Sequence, residues 1–362
     1  MSESITTVMF IVDVSLLLSL TDRVPALGAP SVLHPDAWPL GERLEAWSRA
    51  RGLVLGDPDT SPLGRARFER LAARVFPTAE LDRVELFARW LTWAFALDDA
   101  IDEAPLGTSA TAVDALFEDL LKAVRRGHAR PGAMPLEATG VELWRATVPG
   151  MSRDWRRRFL MHLEEHRAGC AEEAVNRRMG QVPGLDDYPA LRRRAAAPFL
   201  FDLIEPVLGV ELPPSLRGTP SWKALLEGTA DVLAWCNDVA SHARESARGD
   251  VHNQVTVLAE AYGFETPQAA GWVIDHVAHR VGDVQAGARM MGDDLDRLRL
   301  SPEQRSASAR VVRALLDAPR AHLDWLTESG RYRPPGSDLS IDGMPMLVPG
   351  QRKRLDGLAS LR

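Results

Sequence analysis

The chain has 362 residues, of which 45% are hydrophobic and 26% charged, and its formal net charge is −7. A surface that binds nucleic-acid phosphates needs clustered basic residues, so this mildly acidic balance argues against a nucleic-acid partner. Two cysteines are too few for a disulfide framework, which favours a reduced, cytoplasmic setting. The length allows one large hydrophobic core, and we expect one domain with tails.

The N-terminal stretch VMFIVDVSLLLSL is apolar but is interrupted by Asp13 and two serines. It is too short to span a bilayer and lacks the basic start of a secretion signal, so we expect no stable membrane insertion. Residues 1–33 are interpreted as a poorly specified N-terminal extension. The domain is expected to begin near the sequence HPDAW at 34–38 and to extend to residue 332.

Beyond this point, apolar residues recur at three- and four-residue spacing, which is typical of amphipathic helices. No long stretch alternates with a period of two, and no Asn-Gly hairpin signal is present, so the sequence predicts an all-α fold. The predicted helices span residues 41–51, 64–76, 79–103, 110–126, 152–177, 187–207, 221–247, 251–262, 266–297 and 302–330. Residues 333–362, rich in proline, glycine and polar residues, are predicted to form a flexible C-terminal tail.

The predicted helix 79–103 ends in LTWAFALDDAIDE, an apolar run followed by a cluster of acids. Asp98 and Asp102 are four residues apart and share one helix face, with Asp99 adjacent. Carboxylates at the rim of an apolar cavity are costly unless something neutralises them. Mg²⁺ does so through oxygen ligands and keeps other positions for water and a substrate phosphate. A solvated acidic helix end is the alternative interpretation.

A second set of oxygen ligands lies in the stretch DVLAWCNDVASHARE. Asn237, Ser241 and Glu245 follow one another at intervals of four residues, so their side chains point from one helical stripe. This spacing is a weak pattern when it stands alone, because an exposed polar helix face also produces it. Together with DDAIDE, it predicts a metal and phosphate site between two helices.

The pair DDAIDE and NDVASHARE resembles the aspartate-rich motif and the NSE triad of bacterial class I terpene synthases, also called terpene cyclases. HPDAW with EAWSRARGL, DDYPALRRR, GDVHNQVTVL and DWLTESGRY extend the resemblance over most of residues 34–332. The resemblance implies the single-domain helical bundle of that family, three bound Mg²⁺ ions and a linear prenyl diphosphate substrate. It further implies diphosphate release and carbocation cyclisation to a sesquiterpene or diterpene. The sequence does not decide between farnesyl and geranylgeranyl diphosphate as the substrate. Geranyl diphosphate is the less favoured third alternative.

The resemblance also implies roles for individual residues. The metal ligands that it implies are Asp98, Asp99, Asp102, Asn237, Ser241 and Glu245. Arg244 matches a basic residue that contacts diphosphate, and Arg331 and Tyr332 match a C-terminal pair that binds diphosphate on closure. Trp325 matches an aromatic residue that faces the cavity. Phe95, three residues before Asp98 on the same helix face, is a second candidate for the cavity wall.

A diphosphate-sensing arginine is implied by the family pattern Y-x3-R, which Tyr188 and Arg192 fit, and Arg193 is the neighbouring alternative. The family usually continues with a glycine at a helix break, whereas this chain reads AAAP. Pro198 can break the helix and free the carbonyl groups around Arg194 to Ala196. Ala196 is a candidate substrate-binding residue, and which carbonyl is the effector stays open.

Two other functions and some partners stay open at this stage. A chain-elongating prenyltransferase needs a second aspartate-rich motif, whereas this chain has NDVAS in that place. A non-catalytic helical binding protein requires all the ordered matches to be coincidental. The histidines show no HExxH or Cys/His spacing, which argues against zinc. A homodimer is compatible with these features.

Overall fold

The structure is a computed structural model that describes residues 16–55, 61–102 and 106–333, so most of the predicted C-terminal tail lies outside the described residues. The longer helices are α1 (Ala37–Ala50), α2 (Phe68–Val75), α3 (Leu81–Asp102), α4 (Ala110–Arg126), α5 (Pro135–Thr147), α6 (Arg153–Met179), α7 (Tyr188–Ala195), α8 (Pro220–Ala247), α9 (Gln254–Tyr262), α10 (Thr266–Arg297) and α11 (Pro302–Glu328). Short helical turns span Pro25–Gly28, Gly64–Ala66, Leu106–Thr108, Phe199–Asp202, Ile204–Leu208, Pro214–Arg217 and Gly330–Tyr332. Within the described ranges there is no β-strand, which confirms the all-α prediction.

The helices begin and end at residues that satisfy the free backbone groups. Ser152 accepts a hydrogen bond from the backbone N–H of Trp155 at the start of α6, and Gly180 ends that helix with a φ of 62°. Thr219 caps α8 in the same way, with Pro220 at its first position. No helix of the described residues is long and apolar enough to cross a membrane.

Helix α8 packs most extensively against α10, and it also packs against α11, α9 and α7. A Cβ atom at Gly228 of α8 would lie 2.8 Å from Cγ2 of Val284 in α10, so glycine allows these two long helices to pack closely. Helix α3 packs against α2, α5 and α1, while α11 packs against α8 and α2. The polar C-terminal ends of α3 and α8 are thereby brought to one end of a shared cavity.

The described N-terminal residues pack more extensively than an N-terminal extension over residues 1–33 would. The chain is helical from 16 to 23, and Leu17, Leu20 and Leu27 are buried in the same core as the rest of the bundle. The backbone N–H of Ser31 donates to Asp324 Oδ2 of α11 at 2.8 Å. The packed part of the chain therefore begins before residue 34.

The predicted helix 187–207 is interrupted. Helix α7 ends at Ala195, and the chain continues in two short helices after Pro198. Ala197 adopts a φ of 52°, the left-handed region that is costly for a residue with a Cβ atom. Opposite the break, a Cβ atom at Gly169 of α6 would lie 2.7 Å from the backbone nitrogen of Ala195, so glycine is needed there for close approach.

Candidate active site

A cavity lies between α3, α6, α7, α8 and α11, with polar groups at one end and apolar side chains deeper inside. Its apolar wall includes Leu71, Val75, Phe87, Leu91, Ala94, Phe95, Leu200, Phe201, Ile204, Leu233, Ala234 and Ala318. Its polar end includes Asp98, Asp102, Arg177, Arg192, Asn237, Arg244, Glu245, Asp250, Arg331 and Tyr332. Such a cavity suits a ligand with a charged head and a long apolar chain.

The three aspartates of α3 have different surroundings. Asp98 lines the cavity without a hydrogen-bond or ion-pair partner among the described residues, and burial together with the charge of Asp99 raises its pKa. Asp99 forms a two-point ion pair with Arg331, at 3.0 and 2.6 Å. Asp102 accepts a hydrogen bond from Arg177 at 2.7 Å. Of these three carboxylates, Asp98 is therefore the one whose charge most needs to be neutralised by a bound cation.

The triad residues of α8 lie on one stripe, as their spacing predicts. The Asn237 side-chain amide donates to the Tyr332 hydroxyl at 2.6 Å, and the Ser241 hydroxyl donates to the Asn237 backbone carbonyl at 2.7 Å. Burial and the Asp238 charge raise the pKa of Glu245 to about 7. The amide of Asn253 donates to Glu245 Oε2 at 2.9 Å and holds that carboxylate in place.

The donor set fits a hard dication that is shared with an anionic ligand. Carboxylate, amide and hydroxyl oxygens are the ligands that Mg²⁺ accepts. In the described part of the chain, no three His, Cys, Asp or Glu side chains come together as a complete metal cluster. The acidic groups are divided between α3 and α8, so an ion held by one helix has coordination positions left for a bound phosphate.

Arg192 belongs to a buried network centred on Asp238. Its guanidinium donates to Asp238 Oδ1 at 2.9 Å and to Asn237 Oδ1 at 3.1 Å. The fully buried Asp238 also accepts from the Tyr188 hydroxyl at 2.9 Å and from the backbone N–H of Gln254 at 3.0 Å. Burial alone would lower the pKa of Arg192, but the Asp238 carboxylate raises it well above its usual range. This arginine therefore stays charged beside the triad.

Arg193 also lines the cavity but makes different ion pairs. Its Nη1 lies 2.8 and 3.0 Å from the two carboxylate oxygens of Asp231, which also accepts from Arg280 of α10. Arg193 is thus connected to the α8–α10 side of the bundle, whereas Arg192 contacts the triad asparagine directly.

Two further arginines present unused donors at the polar end. Nε and Nη1 of Arg244 and Nε of Arg331 are buried without a hydrogen-bond partner. The Arg244 guanidinium lies 5.8 Å from the centre of the Tyr332 ring, and Arg331 lies 5.0 Å from the centre of the Phe95 ring. Buried N–H groups without acceptors are costly, so this end of the cavity is suited to a multiply charged anion.

The helix break places Ala195, Ala196 and Ala197 on the cavity wall. The backbone N–H of Ala196 donates to the Arg192 carbonyl at 2.9 Å. Nδ1 of the buried His166 lies 3.3 Å from the Arg194 carbonyl, which fixes the position of the break against α6. The assignment of Ala196 as a substrate-binding residue stays a prediction.

Of the two aromatic candidates, Phe95 lines the cavity and Trp325 lies one layer behind it. The Trp325 ring is fully buried, and its Nε1 donates to the Ala66 carbonyl at 2.7 Å. It packs edge-on against Phe95, with ring centres 6.0 Å apart, and against Tyr332 at 5.7 Å. Trp325 therefore supports two residues of the cavity wall from behind.

Arg177, near the C-terminal end of α6, is not among the residues that the sequence motifs indicate. Its Nη2 lies 2.7 Å from Asp102 Oδ1 and 3.2 Å from Asp250 Oδ2, and its Nη1 is buried without a partner. The pKa of Arg177 would fall through burial, but Glu173 and the other acids raise it above its usual range. Only the tertiary packing of α6 beside α3 reveals this residue, because its surroundings in the sequence, AVNRRMG, are typical of an ordinary helix end.

Known proteins and a family model are similar to this chain in sequence. The family model described as terpene synthase family 2, C-terminal metal binding, matches residues 89–283. The (−)-delta-cadinene synthase of Streptomyces clavuligerus is 31% identical over 277 residues, which cover 76% of this chain and 84% of that protein. The (2E,6E)-farnesyl diphosphate cyclizing (−)-beta-caryophyllene synthase of Saccharothrix espanaensis is 30% identical over 91% of this chain and 92% of its own.

A solved structure shows the same fold. The crystal structure of germacradien-4-ol synthase from Streptomyces citricolor superposes with a TM-score of 0.73 at 25% identity, over 84% of this chain and 98% of that chain.

Proposed function

The chain belongs to the terpene synthase family of enzymes, and on that premise we propose that it is a class I cyclase of farnesyl diphosphate. The observation that carries this proposal is the meeting of Asp98, Asn237 and Glu245 with arginines whose buried donors lack acceptors. The choice of farnesyl diphosphate is supported by the caryophyllene synthase relative, whose name specifies that substrate. Geranylgeranyl diphosphate is the alternative.

In the proposed reaction, Mg²⁺ would be held by Asp98 and Asp102 of α3 and by Asn237, Ser241 and Glu245 of α8. When bound, Mg²⁺ neutralises the charge that develops on the departing diphosphate. Arg192, Arg244 and Arg331 donate hydrogen bonds to the same oxygens, and such donors stabilise the transition state because charge concentrates there as the carbon–oxygen bond breaks.

The apolar part of the cavity then controls the cation. Leu91, Ala94 and Phe95 on α3 face Leu233 and Ala234 on α8, and together they exclude water from the hydrocarbon chain. Aromatic faces such as that of Phe95 stabilise positive charge. Cyclisation follows because the folded chain brings a double bond to the cationic carbon before water can reach it.

The test is a matched set of incubations with farnesyl, geranylgeranyl and geranyl diphosphate, each with Mg²⁺ and with chelator. We expect release of diphosphate and a cyclic product by gas chromatography with mass detection, only with Mg²⁺ and mainly from farnesyl diphosphate. Faster turnover of geranylgeranyl diphosphate would correct the substrate. Condensation of the allylic substrate with added isopentenyl diphosphate would identify a prenyltransferase instead.

The same proposal includes the substrate, the cofactor and the location of the protein. The prenyl diphosphate is the proposed partner, Mg²⁺ the proposed cofactor and the cytoplasm the proposed location. Sedimentation velocity would determine whether the chain forms a homodimer.

A further inference from the structure

His322 of α11 lines the cavity and is not used by the metal or diphosphate site. Its side chain is 6% exposed, and its Nδ1 is buried without a hydrogen-bond partner among the described residues. The ring packs against Trp325, with ring centres 5.4 Å apart. An imidazole without a partner in a hydrophobic wall is costly, so its presence calls for a role.

His322 lies on α11 near Ala318, an apolar residue of the cavity wall, where the hydrocarbon part of the proposed substrate would lie. Helix α11 ends at Glu328, just before the residues that close the polar end of the cavity. His322 is six residues earlier, roughly 9 Å away along the helix axis at the rise of an α-helix. Ala318 is one turn further along the helix axis on the same face.

Other histidines of the cavity wall already have partners. Nδ1 of His166 lies 3.3 Å from the Arg194 carbonyl. The two ring nitrogens of His252 contact Asp250 Oδ1 at 3.0 Å and Asn176 Nδ2 at 3.2 Å. The carboxylates are at the polar end, beside the arginines. Among the described histidines that line the cavity, His322 is therefore the one with no hydrogen-bond partner.

We propose that His322 is the catalytic base that removes the final proton from the cyclised carbocation, so that the main product is an alkene. This inference rests on the proposed function. The C–H bond next to the cationic carbon breaks, its electron pair becomes the new double bond, and the proton goes to the unprotonated nitrogen of the neutral imidazole.

The surroundings of His322 support this step. Burial and the positive charge of Arg192 lower the pKa of His322 to about 3, so the imidazole is neutral at pH 7 and keeps a lone pair. A carbocation is a far stronger acid than an imidazolium of this pKa, so the transfer is downhill. The resulting imidazolium is repelled by Arg192 and returns its proton to the released diphosphate or to solvent when the site opens.

The test combines variants with chemical rescue. In His322→Ala, diphosphate release should stay within about threefold of wild type, because ionisation precedes deprotonation. The share of the wild-type alkene should fall by about tenfold or more, replaced by alcohols or by alkenes that lose a different proton. Added imidazole should restore the wild-type alkene, whereas pyrrole, a ring of the same size without a basic nitrogen, should not. His279→Ala on the exposed face of α10 is the matched control and should change neither readout.

Several outcomes would overturn the proposal. These are an unchanged product profile in His322→Ala, rescue by pyrrole as well as imidazole, failure of imidazole to rescue, and a wild-type alcohol that carries ¹⁸O from labelled water. In each of these cases diphosphate release by the wild type leaves the proposed function standing, whereas absence of that release refutes both. If His322→Ala does not fold, His322→Phe preserves the ring volume, and retention of the wild-type alkene by that variant would equally overturn the proposal.

Discussion

Arg331 and Asp99 form a two-point ion pair, at 3.0 and 2.6 Å, between the end of the described chain and the aspartate-rich helix. The next residue, Tyr332, accepts a hydrogen bond from Asn237 of the other motif helix. One short segment thus contacts both motifs, so the cavity is closed by the same residues that are proposed to bind diphosphate. Asp99 holds this segment and does not itself line the cavity.

Asp99→Asn should therefore loosen the closing segment without removing the ligand at Asp98. We expect kcat/KM to fall by about tenfold, since one charge-assisted pair is weakened. Hydrogen exchange at residues 329–333 should increase in the variant. Exchange equal to wild type at these residues would contradict a holding role for Asp99.

Asp98→Ala and Asn237→Ala should each lower kcat by roughly 100-fold or more, because each removes a proposed oxygen ligand of the ion that would stabilise the leaving group. Circular dichroism and thermal unfolding should show a folded protein. Asp154→Asn, at an exposed ion pair with Arg157 at the start of α6, is the control and should keep wild-type kinetics. Near wild-type kcat in both site variants would refute the metal assignment.

Arg192→Lys should lose most activity, because a single ammonium group cannot replace donors to both Asp238 and Asn237. It should also lower the free energy of unfolding by up to about 3 kcal/mol, since Asp238 is fully buried and would be incompletely paired. Arg193→Lys, whose partner is Asp231, should lose less activity. Steady-state kinetics and urea unfolding of both variants measure these effects; a larger activity loss in Arg193→Lys would identify Arg193 as the sensor.

Ala197→Gly should stabilise the protein by about 1 kcal/mol, because glycine adopts a φ of 52° without the Cβ clash. The matched control is Ala196→Gly, where φ is −86° and glycine only adds flexibility to the unfolded chain. That control should destabilise by about 0.5–1 kcal/mol. Opposite signs in urea unfolding would confirm the strain, whereas equal signs would contradict it.

Stability should decrease as pH falls from about 6.5 to 4, because the pKa of His166 is lowered by burial from 6.5 to about 4. The unfolded chain binds a proton in this range that the folded protein does not, so the proton favours unfolding. His166→Gln should reduce the slope by up to about 1.4 kcal/mol per pH unit, measured by urea unfolding between pH 4 and 7. The exposed His128→Gln should keep the wild-type slope, and an unchanged slope in His166→Gln would refute this account.

Sequence patterns predict much of this architecture, because a helix with one buried face has apolar residues that recur every three or four positions. That Asp98, Asn237 and Glu245 share one cavity agrees with the sequence, because their spacing puts them on definite helix faces. Helix α5 was not predicted, although Pro135 at its first position is a helix-start signal. The burial of Leu17 and Leu20 was also missed, since an apolar stretch interrupted by polar residues does not reveal what it packs against.

The rest depends on contacts that local sequence does not contain. Arg177 meets Asp102 only because α6 ends beside α3, and Trp325 lies behind the cavity wall because its indole N–H bonds to Ala66. The left-handed Ala197 has no local signal, because alanine favours helix and the backbone there is fixed by packing against α6.

The buried carboxylate of Asp238 has an evolutionary consequence. A variant that loses Arg192 loses a proposed diphosphate-binding group and at the same time leaves an incompletely paired charge in the interior. The cost is about 3–5 kcal/mol, which is comparable with the stability of many whole domains. Most descendants with that change would fail to fold, and a folded but inactive relative would need compensating changes at both residues. Mutational drift is therefore expected to alter the hydrocarbon end of the cavity, and with it the product, much more readily than it discards the ability to bind diphosphate.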